Sequence, residues 1–270
     1  MLGVVLMASC VLPKMEVDPS LDPIGGGGAC AGTQVAAMVE MPEGYAIDVS
    51  EVTRCQYDVW LGTAPATTGQ LPECGFNTGP EAFKPTCEWP VGSKGNHPVV
   101  CVDWCDAVAY CKAAGKRLCG KIGGGANAYG DYADEAKSQW YNACSSGGVH
   151  NFPYGGSATT GNVDGFEPQS CNGNDNGRTG CADGTCTTSE VGTLSGCASK
   201  EGGYKGVFDL SGNVWEWEDS CNATSGENDS CRLRGGSYYD IGSLLRCGYG
   251  FDDYSRGKHD ESLGFRCCAQ

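Results

Sequence analysis

The sequence is short of cations and of histidine. Eighteen Lys and Arg stand against 33 Asp and Glu, a formal net charge of −15, and there are three His in 270 residues. That imbalance repels phosphate backbones and anionic headgroups, so nucleic acid is not expected as a partner and a membrane is reachable only through a lipid anchor. A surplus of carboxylates suits divalent cations, and equally a solvated surface. His97, His150 and His259 are far apart, with no paired spacing, which is the pattern of structural or surface histidines. After the first residues no stretch approaches the ~20 apolar residues that a spanning helix needs. Helical periodicity is confined to a few segments, and no internal repeat is visible.

Glycine, proline and cysteine are plentiful instead: 43, 12 and 19 residues. With 40% hydrophobic content, the chain can fill a core, and the turn formers favour a loop-rich α+β or β-dominated fold. Nineteen cysteines are an oxidation hazard in a reducing cytoplasm, which points to export. The opening residues, MLGVVLMASC, combine an apolar run with Ala8 and Ser9 before Cys10. That arrangement looks like a bacterial lipobox over residues 1–10, with Cys10 as the lipidated residue. Eighteen cysteines then remain, an even number able to form nine disulfides. Residues 11–32, with Pro, Asp and a run of four Gly, read as a flexible tether, and residues 33–270 as one domain.

Within the domain, AIDVSEVTRCQYDVWLG opens as a strand and continues as a helix, capped by Thr53 with Gln56 three residues later. A second helix follows from HPVVCVDWCDAVAYCKAAGKRL: Asp103 caps it, Trp104, Ala107, Val108 and Cys111 follow helical spacing, and Gly115 ends it. A short helix is predicted at EAKSQWYNAC. GVFDLSGNVWEWEDSC is predicted to be strand on both sides of a tight Ser211-Gly212-Asn213 turn, with Trp215 and Trp217 on one face and Glu216 on the other. Cys101, Cys105 and Cys119 invite a metal-cluster reading, but disulfides are the expectation in an exported chain. Sequence proximity suggests local bridges Cys74 to Cys87, Cys181 to Cys186, and Cys221 to Cys231. Asn222-Ala-Thr and Asn228-Asp-Ser fit the glycosylation pattern, without meaning in a bacterial lipoprotein.

The order of EVTRCQYDVWL, HPVVCVDWCDAVAYCKAAGKRL, NFPYG, GVFDLSGNVWEW, LRGGSYY and LGFRCC, from Val39 to Cys268, resembles the formylglycine-generating enzymes, also called sulfatase-modifying factors. The resemblance implies a sulfatase-modifying-factor fold: α+β, C-type-lectin-like, loop-rich, disulfide-stapled and low in regular secondary structure. Oxidases of that family bind copper(I) with two cysteines just after the Gly-Gly-Ser-Tyr turn and convert a substrate cysteine to formylglycine, soft thiolates being suited to that metal. Here the corresponding stretch, Tyr239 to Leu245, contains no cysteine, and copper is not expected. Cys247 matches a structural cysteine that pairs with Cys144, and Cys111 is expected to pair with Cys267. Iron-dependent relatives use clustered histidines, which this chain lacks.

The same resemblance implies calcium. One set of ligands is the side chains of Asp209 and Glu216 with the carbonyls of Gly212 and Val214; a second is the side chains of Asn172 and Asp183 with the carbonyls of Gly173 and Thr185. Both are all-oxygen mixtures of the kind a hard cation takes. Trp215 and Ser237, which match residues of the oxidases' oxygen pocket, form with Tyr239 a candidate groove. The expected function is therefore a lipid-anchored, calcium- and disulfide-stabilised domain on the outer surface or in the periplasm, binding an extracellular peptide, protein or glycan. An oxidase recruiting thiols such as Cys101 and Cys105 is the alternative, and a structural envelope protein a third.

Overall fold

The computed structural model describes residues 30, 33–158, 164–174 and 186–270. Strands β1 (Met38–Glu40) and β2 (Ala46–Asp48) form a hairpin, and helix α1 (Arg54–Leu61) follows. Thr53 caps α1 by accepting from the Gln56 amide, while the Gln56 side chain accepts from the Thr53 amide. This closes the predicted capping box and satisfies two end donors reciprocally. Helix α2 (Trp104–Ala113) carries a second box, Asp103 with Asp106, and stops before Gly115, whose φ of +72° a side chain would resist. Strand β3 (Arg117–Leu118) leads to α3 (Gln139–Ser145), shorter than EAKSQWYNAC suggests because Ser138 caps it by accepting from the Tyr141 amide.

The remaining strands are β4 (Trp215–Cys221), β5 (Cys231–Arg234), β6 (Gly250–Phe251), β7 (Leu263–Gly264) and β8 (Cys267–Ala269). They complete two four-stranded sheets, ordered β1-β2-β8-β3 and β6-β5-β4-β7. Only the second half of GVFDLSGNVWEWEDSC is a strand. Before the turn, Phe208 makes an isolated bridge to Ala198, because Asp209, Gly212 and Asn213 all adopt positive φ and break the extended run.

Strand alternation divides the core. Trp215 and Trp217 pack with Trp104, Leu233 and Phe265 in the larger of the two main clusters; Tyr45, Ile47, Trp140 and Val207 build the second. Consecutive residues of β8 serve both: Cys267 bridges to Cys111 of α2 in the first cluster, and Cys268 bridges to Cys119 in the second. The last strand is thereby stapled to each side of the molecule.

The bridges Cys144–Cys247 and Cys221–Cys231 form as expected. Cys74 and Cys87 do not pair with each other. Cys74 bridges to Cys105 on the first turn of α2, and Cys87 to Cys101 just before it. Proximity misleads here because doubling a loop costs only about 0.6 kcal/mol of closure entropy, so the docking of α2, and not chain separation, selects the partners. Cys30, inside the segment expected to be tether, bridges to Cys55 of α1, and Cys171 bridges to Cys197. Cys186 is disulfide-bonded, while its expected partner Cys181 and the lipidation candidate Cys10 lie outside the described residues.

Candidate functional site

The turn after Leu210 and the Gly-Gly-Ser turn after β5 meet through the backbone. The Gly212 amide donates to the Gly235 carbonyl, the Tyr238 amide to the Asn213 carbonyl, and the Asn213 amide to the Asn172 carbonyl. Gly212 has no room for a side chain, since a Cβ would overlap the Asn172 carbonyl. Three sequence-distant segments thus converge where the expected groove, the first expected calcium set and Asn172 of the second lie.

The three groove residues differ in access. Trp215 is buried against Tyr249 and Phe251, at centroid distances of 5.9 and 5.6 Å. Ser237 is buried too; its hydroxyl donates to Asp240 Oδ2 at 2.6 Å and accepts from the Tyr239 amide at 3.3 Å. Tyr239 is exposed, its ring tilted by 39° against that of Tyr238 at a centroid distance of 4.2 Å, and its hydroxyl donates to Glu261 Oε1 at 2.7 Å. Ile241 beside it is exposed as well. A separate concavity of about 520 Å³ opens between α2 and the loop after α1, lined by Trp60, Leu71, Phe83, Val108 and the Cys74–Cys105 bridge. None of Trp215, Ser237 and Tyr239 lines it.

Two buried ion pairs sit behind the groove on the face of β4 opposite its tryptophans. Glu216 stands across from Arg234 in the β4–β5 register, yet its partner is Arg266. Arg266 Nη2 donates to Glu216 Oε1 and Nε to Oε2, both at 2.7 Å, and Trp140 Nε1 adds a third donor to Oε2 at 2.8 Å. Arg234 takes Glu218 instead, at 3.2 Å, and donates also to the Cys247 carbonyl. Burial pushes the Glu218 carboxyl up, and the Arg234 charge and the Ser138 hydroxyl oppose the shift. The FRC and LRGG arginines are the functional residues that spacing arguments missed. Two Arg near an alternating Trp-Glu-Trp-Glu strand are the available signal, because buried carboxylates need counter-ions.

Both carboxylates of the first calcium set therefore have partners within the protein. Glu216 has both oxygens committed to N–H donors. Asp209, in left-handed conformation at φ +61°, accepts from the Gly192 amide at 2.6 Å. Beside them lies Glu51, fully buried, whose Oε1 accepts from Asn213 Nδ2 at 2.8 Å and whose Oε2 has no partner. The charged groups acting most strongly on Glu51 are Asp209, Arg266 and Glu216, and its carboxyl is held well above the usual range by burial and then by the Asp209 charge. Three buried carboxylates around one guanidinium, with an orphaned oxygen among them, fit a cation in charge and in donor type. Of the second set, Asn172 donates from Nδ2 to the Thr187 carbonyl and to Asn213 Oδ1, and Gly173 packs on Leu245. Asp183 and Thr185 lie outside the described residues.

A further cluster caps α2. Asp103 and Asp106 are buried, and His259 Nε2 lies 3.6 Å from Asp106 Oδ2. Burial and the neighbouring Asp106 charge push Asp103 up to about 8. The other two histidines are engaged singly, His97 with Thr188 and His150 with Glu201 and the Gly156 carbonyl.

Two small sheets, short capped helices, long stapled loops and a Gly-Gly-Ser turn over buried tryptophans define a C-type-lectin-like α+β domain. The chain belongs to the FGE-sulfatase family, the sulfatase-modifying factor enzyme 1-like domains, which it matches over residues 23–270. It is 29% identical over 198 residues to the formylglycine-generating enzyme of Mus musculus, covering 65% of this chain and 45% of that protein. The enzyme of Bos taurus is 29% identical over 196 residues, covering 64% and 44%. The chain thus spans less than half the length of these curated relatives. Among solved structures, PvdO from Pseudomonas aeruginosa superposes with a TM-score of 0.52 at 22% identity, covering 84% of this chain and 80% of that one. CarF superposes at 0.50 with 21% identity, covering 83% and 85%. Both likenesses concern the fold alone.

Proposed function

We propose that this chain is an exported, lipid-anchored and non-oxidative member of its family, stabilised by calcium, which binds an extracellular peptide, protein or glycan on the surface around Tyr239. The observation that carries the non-oxidative reading is the state of the thiols. Every described cysteine is in a disulfide. Cys247, the first cysteine after the Gly-Gly-Ser turn, is held by Cys144, and Cys101 and Cys105, the alternative thiols, go to two different partners. Copper(I) coordination in this family's manner takes paired thiolates, and sulfur locked in a disulfide does not supply them. Eight bridges among the described residues also suit an oxidising compartment, and no described helix is long and apolar enough to cross a membrane.

Binding is favoured by the exposed aromatic ring of Tyr239 next to Ile241, held rigidly by the Glu261 hydrogen bond and by Tyr238. A pre-positioned amphipathic ring of this sort supplies contact area at low entropic cost. Calcium is supported by the oxygen-rich turns behind it, where the carbonyls of Gly212 and Val214 and the Asp209 carboxylate would hold the ion and rigidify the base of the groove.

The test is an activity assay with a binding arm. Incubated with copper, oxygen, a reductant and a peptide bearing the sulfatase Cys-x-Pro-x-Arg motif, the protein is expected to form no formylglycine above a heat-denatured control. On peptide and glycan arrays, signals are expected that fall at least tenfold with Tyr239→Ala. Turnover that is lost on mutating Cys101 or Cys105 would make the chain an oxidase.

A further inference from the structure

Helix α2 divides its side chains between two environments. Trp104, Ala107 and Cys111 belong to the larger core cluster, while Val108, Ala109, Lys112 and Ala113 line the concavity of about 520 Å³ against the loop after α1. An outward helix stripe is ordinarily polar, yet of these four only Lys112 carries a charge. The small side chains of Ala109 and Ala113 leave room, and Trp60 and Phe83, with centroids 5.2 Å apart, add aromatic surface. The walls are fixed in place. The Cys74–Cys105 bridge ties the loop to the first turn of α2, Gln70 Nε2 donates to the carbonyls of Thr67 and Asn77 at 3.1 and 2.6 Å, and Lys112 Nζ donates to the Gly69 carbonyl at 3.1 Å. A ligand entering such a preformed space orders little of the protein, and the volume falls in the range of small-molecule sites, about 300–1,000 Å³.

The charge at this site runs against that of the chain. The whole protein carries a formal −15, yet among the described residues that line the concavity there is no Asp or Glu, and Lys112 is the only charged one. Its Nζ donates to a carbonyl and, among the described residues, to no carboxylate, while an ammonium has three donors to give. We propose that this concavity binds a monocarboxylate with an apolar tail, of the fatty-acid type, the tail lying against Trp60, Phe83 and Ala109 and the carboxylate pairing with Lys112. The lining selects that class by complementarity. A cationic ligand meets Lys112 and no counter-charge, a sugar or other polyol finds few polar partners on so apolar a lining, and a multiply charged anion finds a single cation. An apolar tail ending in one negative charge matches both features at once. The site is separate from the surface around Tyr239 and does not depend on how that surface is used.

Calorimetric titration of the full chain with octanoate, decanoate and 1-octanol tests this. Octanoate is expected to bind at one site, and decanoate about tenfold more tightly, since each buried methylene adds to the transfer free energy. Lys112→Gln, a substitution on the exposed rim, is expected to weaken octanoate at least threefold and to leave 1-octanol unchanged. Ala109→Phe, which fills the space, is expected to abolish binding of all three. Where Ala109→Phe does not fold, Trp60→Phe replaces it: octanoate is expected to quench tryptophan fluorescence in the wild type and not in this variant. No octanoate binding by the wild type overturns the proposal, and so does equal affinity for octanoate and decanoate, which would leave the tail in water. Octanoate binding unaltered by Lys112→Gln overturns the assignment of the carboxylate. Binding unaltered by Ala109→Phe, or quenching that persists in Trp60→Phe, places the ligand elsewhere and overturns the site.

Discussion

Arg234 and Arg266 carry the two buried ion pairs of β4. Both are fully buried, each faces a buried glutamate of β4, and each also satisfies backbone carbonyls far away in sequence. Breaking such a pair from one side leaves a charge uncompensated, which is costlier than never having built it. Arg234→Met is therefore expected to lose about 3–5 kcal/mol, read from urea denaturation monitored by tryptophan fluorescence. A loss below about 0.5 kcal/mol, the range of ordinary surface substitutions, would mean that Glu218 is neutral or finds another partner. At this scale the sequence was only half legible. The alternation of Trp215, Glu216 and Trp217 correctly separated tryptophans from glutamate, since a strand's period needs no tertiary information. What Glu216 faces depends on how β7 and β8 dock 50 residues later, and spacing within the turn carries no trace of that.

Helix starts were legible because caps are local. Thr53 with Gln56, and Asp103 before the Trp104 stripe, announce their helices through side chains that satisfy nearby amides. The α2 cap has a second property that burial creates. Asp103, pushed up to about 8 by burial and by Asp106, holds a proton in the folded state that the unfolded chain releases near an ordinary aspartate value of about 3.9. For His259, burial works against the charge, but the hydrogen bond to Asp106 and the charges of Asp103 and Asp106 raise its pKa. In both cases the folded state binds more protons than the unfolded one, so their contribution to stability is lost as pH rises, for Asp103 between about 4 and 8. Asp48 and Asp219, each pushed up to about 6 chiefly by burial, have completed their loss by then. The melting temperature is accordingly expected to fall from pH 6 to pH 8. Asp103→Asn, which keeps the cap acceptor and removes the titrating proton, is expected to flatten that fall. A wild-type profile that rises over this interval, or an unchanged slope in Asp103→Asn, would contradict the assignment.

For the whole molecule, disulfides do what regular secondary structure does elsewhere. The two sheets consist mostly of strands of two to four residues, and the bridges Cys111–Cys267, Cys119–Cys268 and Cys144–Cys247 close separations of 156, 149 and 103 residues. Motif order over most of the chain made the family and fold legible, and the position of the Gly-Gly-Ser turn identified Cys247 as a staple. The pairs Cys74–Cys105 and Cys87–Cys101 were not legible, because every pairing of four nearby cysteines costs similar closure entropy and only the placement of α2 distinguishes them. Those two pairs also bear most directly on function, since Cys101 and Cys105 are the thiols an oxidase would otherwise recruit. Peptide mapping by mass spectrometry, after alkylation of the denatured, unreduced protein, tests the central claim. The account predicts no alkylated cysteine between Cys30 and Cys268, with Cys74 linked to Cys105 and Cys87 to Cys101. Recovery of two labelled cysteines, at Cys101 and Cys105 above all, would contradict it and leave a thiol pair available for copper.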